Sequence, residues 1–288
     1  MSAPNPPRSI ALFTRRNPEG TAEAVRRLAE MCAEGGVELR VPSEEVEKLG
    51  LSSGLSGAVL DADPHGADLA VVLGGDGTIL TALRRYAGRD VPVFAMNFGE
   101  IGFLATVERD GLDAGFARAL AGEFEVLALP ALTVTTSPDE RVAVNDISFH
   151  RRQDLRVAEL GYSVVGEELG EVRCDGLVVA TPAGSTGYNL ANGGPVLAWG
   201  VSGYVVSFIA PHTLTARALV VAPHDVLQVV NRSPYDPVDL TTDGRLVCAL
   251  EPQERVEIRF GEGLARLAQV PGATFYKRMR DKFGHLSH

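Results

Sequence analysis

The chain has 288 residues, 45% hydrophobic and 22% charged, the composition of a folded globular protein of about two domains. Its 37 acidic side chains against 27 basic ones give a net charge of -10, which leaves no general field for phosphate backbones or anionic lipid and argues against nucleic-acid partners. No apolar run approaches the roughly 18 residues of a spanning helix, and Met1 to Pro7 lacks the apolar stretch of a secretory leader, so a cytoplasmic chain with no membrane partner is expected. Cys32, Cys174 and Cys248 are odd in number and far apart, which fits neither a disulfide framework nor CxxC metal spacing.

In chain order, Ser9 to Phe13 predicts a strand. Pro18 to Glu34 predicts a helix, because Ala24, Val25, Leu28, Met31 and Cys32 recur at helical spacing before Gly35 and Gly36 stop the run. Val37 to Val41 reads as a second strand. Ser43 to His65, with scattered Ser, Gly and Asp, reads as a mobile connection. Asp68 to Leu73 follows as a buried strand, Thr78 to Ala87 as a helix, Val91 to Met96 as a strand and Leu112 to Ala121 as a helix. This alternation predicts a parallel, doubly wound, Rossmann-like sheet of the α/β class.

From Phe124 onward the pattern changes to short alternating runs with turn residues between them. Ala131 to Thr136, Arg141 to Phe149, Arg156 to Val165, Tyr204 to Ile209, Leu219 to Ala222, Val226 to Asn231 and Val256 to Phe260 predict antiparallel strands. Thr274 to Phe283 is basic, with Phe275, Met279 and Phe283 at helical spacing, and predicts a helix that docks back on the N-terminal part. The expected division is an α/β domain over residues 1–124, an all-β domain over 125–272 and a C-terminal helix over 273–288.

The most informative segment is Leu73-Gly74-Gly75-Asp76-Gly77-Thr78, between a buried strand and a helix. Glycines let a backbone approach phosphate closely, and a helix N-terminus offers unpaired N–H groups and a favourable dipole. The segment matches neither the P-loop nor the dinucleotide fingerprint. A plain glycine turn with Asp76 capping the helix is the other reading. Downstream, Asp175 to Asn189 with Asn192-Gly193-Gly194-Pro195 forms a strand running into a loop of small, hydroxylated and amide residues. Such a loop can present donors to a polar ligand beside Tyr188, or be purely structural. Asn145-Asp146 interrupts an alternating strand, as a pair holding ribose or amide groups would, or as a solvent-facing bulge would. Ala183-Gly184-Ser185-Thr186-Gly187 nearly matches GxSxG, but no helical pattern follows Ser185 as a nucleophile elbow requires. No His, Cys and Asp cluster offers a metal cage.

Together, Gly74 to Thr78, Asn97-Phe98-Gly99-Glu100-Ile101-Gly102-Phe103-Leu104, Asn145-Asp146, Asp175 through Pro195 and Pro211-His212-Thr213-Leu214-Thr215-Ala216-Arg217 resemble the NAD kinases. The glycine-aspartate motif alone is shared with diacylglycerol kinases and phosphofructokinases, whereas the long Asp175 to Pro195 segment looks specific to NAD kinases. The resemblance implies transfer of a phosphoryl group from ATP or polyphosphate to the adenosine 2′-hydroxyl of NAD. A magnesium or other divalent ion would arrive on the nucleotide, and a homodimer or homotetramer is expected.

Carried over by position, the resemblance makes Asp76 the general base and sets Gly74, Gly75, Gly77 and Thr78 at the phosphates, with Gly77 touching the dinucleotide. Asn145 and Asp146 match a pair that holds the adenosine or ribose portion. Arg156 and Arg173 match polar or basic binding positions, and Asp175 matches a nicotinamide-side contact. Thr186, Gly187, Tyr188, Asn189, Leu190 and Ala191 match the loop around the adenine, and Phe103 an aromatic near it. Two departures stand out: Thr81 where relatives often carry Lys, Arg or His, and the binding position Arg245, after Asp243-Gly244, where many carry Gln. A lipid or sugar kinase with the same glycine loop, or a non-catalytic NAD sensor, remains the alternative. An acidic chain disfavours the lipid kinase.

Overall fold

The computed structural model describes residues 5–17, 20–51, 54–99, 102–136, 139–152 and 156–284. Contacts divide the chain into two compact units, Met1–Ala128 with Ala265–His288, and Leu129–Leu264. The first contains β1 (Ser9–Thr14), α1 (Ala22–Gly35), β2 (Glu38–Val41), α2 (Ser43–Leu49), β3 (Ala58–Leu60), β4 (Leu69–Gly74), α3 (Asp76–Arg85), β5 (Val93–Asn97), β6 (Val107–Glu108) and α4 (Leu112–Ala121). After β7 (Glu125–Thr136), the second contains β8 (Asp139–Ala143), β9 (Asp146–Arg151), β10 (Ala158–Val164), β11 (Glu167–Cys174), β12 (Gly176–Ala180), α5 (Tyr188–Ala191), β13 (Tyr204–Ile209), β14 (Leu219–Val221), β15 (Leu227–Asn231), β16 (Val238–Thr242) and β17 (Arg245–Leu250). β18 (Arg255–Gln269) carries the chain back to the first unit, which ends in α6 (Phe275–Phe283).

The first unit is an open parallel sheet in the order β5-β4-β1-β2-β3. Its central strands are buried along their whole length, which is why they read as continuous apolar runs rather than alternating ones. The other edge of β5 is shared by β6, opposite Met96 and Asn97, and by the end of β18, where Leu267 faces Val93. Against this sheet α1 packs Ala24, Val25, Leu28, Ala29 and Cys32, and stops at Gly36 with φ 66°, the left-handed cap that glycine adopts without steric cost. Strand order reverses between β1 and β4, so the loops after these strands flank the switch point where open α/β sheets bind ligands.

The second unit packs two antiparallel sheets, β11-β10-β15-β18 and β14-β13-β12-β9-β16-β17. Its core draws on both, for example Leu160 and Val229 from one, Phe149, Leu177 and Leu240 from the other. Along β9 the alternation puts Ile147 and Phe149 into this core, so Asp146, Ser148 and His150 lie on the opposite face.

Several expectations change. Ser43 to His65 holds α2, β3 and a single 3₁₀ turn over Pro64–Gly66; Ser52 and Ser53 lie outside the described residues. The segment is short of apolar residues, but Val46 and Leu49 suffice to pack α2 on the core. Arg141 to Phe149 is two strands rather than one, because the chain turns at Val144 and Asn145. The helix after the glycine turn begins at Asp76, two residues before the predicted start, whereas α4 and β13 fall on their predicted bounds. All three cysteines are free, and burial pushes the Cys32 and Cys174 thiols up to about 12, which makes them unreactive.

Candidate active site

In the first unit, β4 ends at Gly74 and α3 begins at Asp76, with Gly75 in extended backbone as its N-cap. The Asp76 side chain does not cap this helix. Its carboxylate accepts the Phe103 N–H on both oxygens, at 3.1 Å (Oδ1) and 2.9 Å (Oδ2), and the Leu104 N–H on Oδ1 at 3.1 Å. Burial pushes the Asp76 carboxyl above its ordinary range, while those N–H groups and the charges of Arg278 and Lys282 pull the other way. A carboxylate so held keeps a free lone pair on Oδ2, which carries one N–H bond where Oδ1 carries two.

The three glycines of the turn do different jobs. A Cβ on Gly74 would lie 2.5 Å from Thr78 Oγ1, and one on Gly75 3.4 Å from Gly99 Cα, whereas one on Gly77 would meet nothing within 4 Å. Gly74 and Gly75 therefore serve internal packing, and the open space lies over Gly77 at the start of α3, where the Thr78 N–H is already taken by Gly75 O at 2.9 Å and the helix N-terminus turns its dipole toward that space. Sequence reasoning thus brought Gly74, Gly75, Asp76, Gly77, Thr78 and Phe103 into one place within this unit. Glu100 and Ile101 lie outside the described residues.

In the second unit, the Asn145-Asp146 segment is suspended from Asp243. The Asp243 carboxylate accepts the N–H groups of Val144, Asn145 and Asp146 at 3.1, 2.7 and 3.1 Å. Asp243 and Gly244 both have positive φ, 45° and 72°, as a two-residue hairpin turn between β16 and β17 requires. On the other side, Thr181 Oγ1 donates to Val144 O at 2.7 Å and accepts the Gly184 N–H at 3.1 Å. The Asn145 side-chain oxygen is buried without a hydrogen-bond partner, an arrangement that a ligand donor would complete. Asp146 is 7% exposed. Burial and the like charge of Asp243 push its carboxyl up to about 7.

Tyr188 opens α5, half exposed, with its ring stacked on His150 at 5.5 Å and 10°. Its hydroxyl is near enough to Asp146 and Asp175 to feel both charges. His150 Nε2 hydrogen-bonds Ser148 Oγ at 2.9 Å, which in turn meets Thr241 Oγ1 at 2.7 Å. Burial lowers the His150 pKa, favouring a neutral ring. Asn145, Asp146, Asp175 and Tyr188 are therefore neighbours.

Other expected positions stand apart or face inward. Arg173 is exposed and pairs with Glu159 at 3.1 Å, whereas Asp175, grouped with Tyr188 above, also accepts from Arg151 Nε at 2.6 Å. Arg156 is exposed, and Arg245 is exposed beyond the turn. Asn189 is fully buried: its Nδ2 donates to Ser185 O and Pro195 O, both at 3.0 Å. Ser185 is buried too, its hydroxyl donating to Pro182 O at 2.7 Å and accepting the Leu197 N–H at 2.9 Å, so it presents no nucleophile. Thr186 Oγ1 donates to Ala183 O, and Gly187, Leu190 and Ala191 complete the short helical turn. Sequence reasoning passed over His150, Arg151, Arg278 and the holding role of Asp243. Only Asp243 had a signal, the Asp-Gly pair between two alternating runs. Among the described residues no three His, Cys, Asp or Glu side chains gather as a metal site.

A glycine turn opening a helix at the switch point of a doubly wound sheet defines a nucleotide-binding protein. Family models narrow the class: the ATP-NAD kinase N-terminal domain matches residues 10–124 and the ATP-NAD kinase C-terminal domain residues 144–270. The NAD kinase of Syntrophotalea carbinolica is 35% identical over 226 residues, covering 77% of this chain and 79% of its own. An NAD kinase from Archaeoglobus fulgidus, solved in complex with ATP, has a TM-score of 0.70 at 25% identity, covering 96% of this chain and 97% of its own. Yeast NADH kinase complexed with NADH shares the fold, with a TM-score of 0.87 at 22% identity over 99% of this chain and 89% of its own. The chain belongs to the NAD kinase family and is an enzyme of that kind.

Proposed function

We propose that the enzyme transfers the terminal phosphoryl group of ATP to the adenosine 2′-hydroxyl of NAD, with Asp76 as general base. The observation that carries this reading is the Asp76 carboxylate, clamped by the Phe103 and Leu104 N–H groups beside the glycine turn. The 2′-hydroxyl proton passes to Oδ2, the oxygen attacks the γ-phosphorus, and the bond from that phosphorus to the bridging oxygen breaks to release ADP. A carboxyl raised by burial is a better base than a solvated one, and such assistance is worth about 10² to 10⁴-fold. Gly77, Thr78 and the first turn of α3 take the phosphates, Gly74 and Gly75 letting the turn pack.

ATP as donor is supported by the archaeal relative, solved in complex with ATP. A divalent ion enters with the nucleotide as part of the substrate. The acidic groups near the turn support that reading: Asp76 already accepts N–H bonds, and Glu108 is paired with Lys282 and Asn97. Asn145, Asp146, Asp175 and Tyr188 hold NAD, with Thr186 to Ala191 shaping the loop beside them. Arg156, Arg173 and Arg245 are outer contacts, and Phe103 is an aromatic contact. The family resemblance extends the reading to a cytoplasmic homodimer or homotetramer, which light scattering of the purified protein checks.

Incubation with magnesium, NAD and either ATP or polyphosphate, coupled to an NADP-specific dehydrogenase, tests the reaction. NADP from the ATP arm is expected. Product from polyphosphate alone would overturn the donor assignment. An NAD analogue lacking the adenosine 2′-hydroxyl should yield no phosphorylated product, and any such product would overturn the acceptor atom.

A further inference from the structure

α6 grips the backbone that clamps Asp76. Arg278 Nη1 donates to Phe103 O at 2.9 Å and to Ala105 O at 2.6 Å, while Nη2 donates to Gln269 Oε1. The Phe103 ring meets Phe275 at 5.9 Å and Phe283 at 6.0 Å. At the end of the helix, Lys282 Nζ donates to Glu108 Oε1 at 3.0 Å. Glu108 Oε2 accepts from Asn97 Nδ2 at 2.7 Å, and Asn97 Oδ1 takes the Gly99 N–H at 2.9 Å. Phe103 thus has its carbonyl on the Arg278 guanidinium and its N–H on the Asp76 carboxylate.

We propose that Arg278 is a positioning residue for phosphoryl transfer, holding the 103–105 backbone so that the Phe103 and Leu104 N–H groups stay on Asp76 and setting a positive charge nearby. The proposal rests on Asp76 being the base. Two carbonyls on one guanidinium nitrogen, with a third acceptor on the other, fix both the guanidinium plane and the 103–105 segment it spans, which a lysine ammonium cannot reproduce. The charged groups that bear on Asp76 are Arg278 and Lys282, and Glu108 faces both. Burial raises the Asp76 carboxyl; its N–H bonds and the Arg278 charge lower it. Losing Arg278 weakens both opposing contributions, so Asp76 takes up its proton at higher pH.

The experiment measures kcat, KM for NAD and the pH profile of kcat for wild type, Arg278→Gln, Arg278→Lys, Asp76→Asn and the Arg278→Gln/Asp76→Asn double variant, with melting temperatures alongside. Arg278→Gln is expected to lower kcat by about tenfold or more at neutral pH, to leave KM within about twofold, and to move the acidic limb upward. Arg278→Lys keeps the charge and loses the fork, so the limb stays near wild type while kcat falls. In the Asp76→Asn background Arg278→Gln should cost less than about twofold, because its route runs through the carboxylate.

An unchanged kcat and acidic limb in Arg278→Gln, while Asp76→Asn loses about 10²-fold or more in kcat, overturns the positioning role and leaves the base standing. Equal losses in both backgrounds reduce Arg278 to a structural contact and overturn the proposal likewise. Near-wild-type turnover in Asp76→Asn alone overturns the base reading, whatever Arg278 does. Should Arg278→Gln not fold, Arg278→Lys decides: wild-type kcat overturns the role, and a reduced kcat at an unshifted limb supports it.

Discussion

Asp243 Oδ1 accepts the Asn145 N–H at 2.7 Å, tying the hairpin turn between β16 and β17 to a residue nearly one hundred positions earlier. The same carboxylate holds Val144 and Asp146 on either side, so one side chain sets the position of the pair proposed to bind NAD. Asp243→Ala strands three N–H groups at once, each worth about 1 to 3 kcal/mol where water cannot reach it. A lower melting temperature and a KM for NAD raised by about tenfold are expected. Unchanged steady-state constants would detach this turn from NAD binding.

The Asp146 carboxyl is pushed up to about 7 by burial and by Asp243, far above the usual unfolded value of about 3.9. The folded protein therefore binds more protons than the unfolded chain between those values, and this group makes stability fall as pH rises from about 4 to about 7. If the ionised form accepts ribose hydroxyls, KM for NAD falls over the upper part of the same window. Asp243→Asn removes the like charge, so both transitions should move to lower pH. A KM for NAD that is flat between pH 6 and 8 (roughly the titration range of such a group) would remove Asp146 from the ligand.

Substitution of the turn glycines separates packing from function. Gly74→Ala forces its Cβ onto the Thr78 side chain and should cost about 1 to 3 kcal/mol in thermal or denaturant unfolding. Gly77→Ala meets no protein atom and sits in a helix, where alanine is favoured by up to about 1 kcal/mol. It should melt no lower than wild type yet raise KM for ATP. Wild-type kinetics in Gly77→Ala would place the phosphates elsewhere.

Tyr188 and Asn189 are adjacent in sequence and opposite in exposure. Tyr188→Ala should raise KM for NAD with turnover at saturation largely kept. Asn189→Ala removes two hydrogen bonds inside the loop and should show mainly as lost stability, on the order of 1 to 3 kcal/mol. A Tyr188→Ala variant that loses kcat at unchanged KM would contradict a binding role.

The parallel sheet was readable because strands buried on both faces leave continuous apolar runs, and α1 and α4 carry an apolar stripe at helical spacing. β11 escaped because Glu167 to Arg173 is mostly polar and at a sheet edge, where one face meets solvent. The glycine turn was readable as a motif, but not the division of labour within it, since only the neighbours of Gly74, Gly75 and Gly77 distinguish them. Nothing in the basic stretch Lys277 to Lys282 marks Arg278 from Arg280. The difference is tertiary: one reaches Phe103 O and Ala105 O, while the other pairs with Asp281 at the surface.

The first unit is assembled from two segments that flank the second in sequence, and this imposes an order on its birth. While the polypeptide is being synthesised, β1 to β5 leave the ribosome long before residues 265–283, and Thr106 waits for Ala268, 162 positions later, to accept its hydroxyl. Until then the outer edge of β5 lacks its β18 partner, and the backbone over Asp76 lacks Arg278. A nascent chain therefore passes through a stage with an open sheet edge, a hazard for wrong pairing, and gains a braced carboxylate only when α6 has been made.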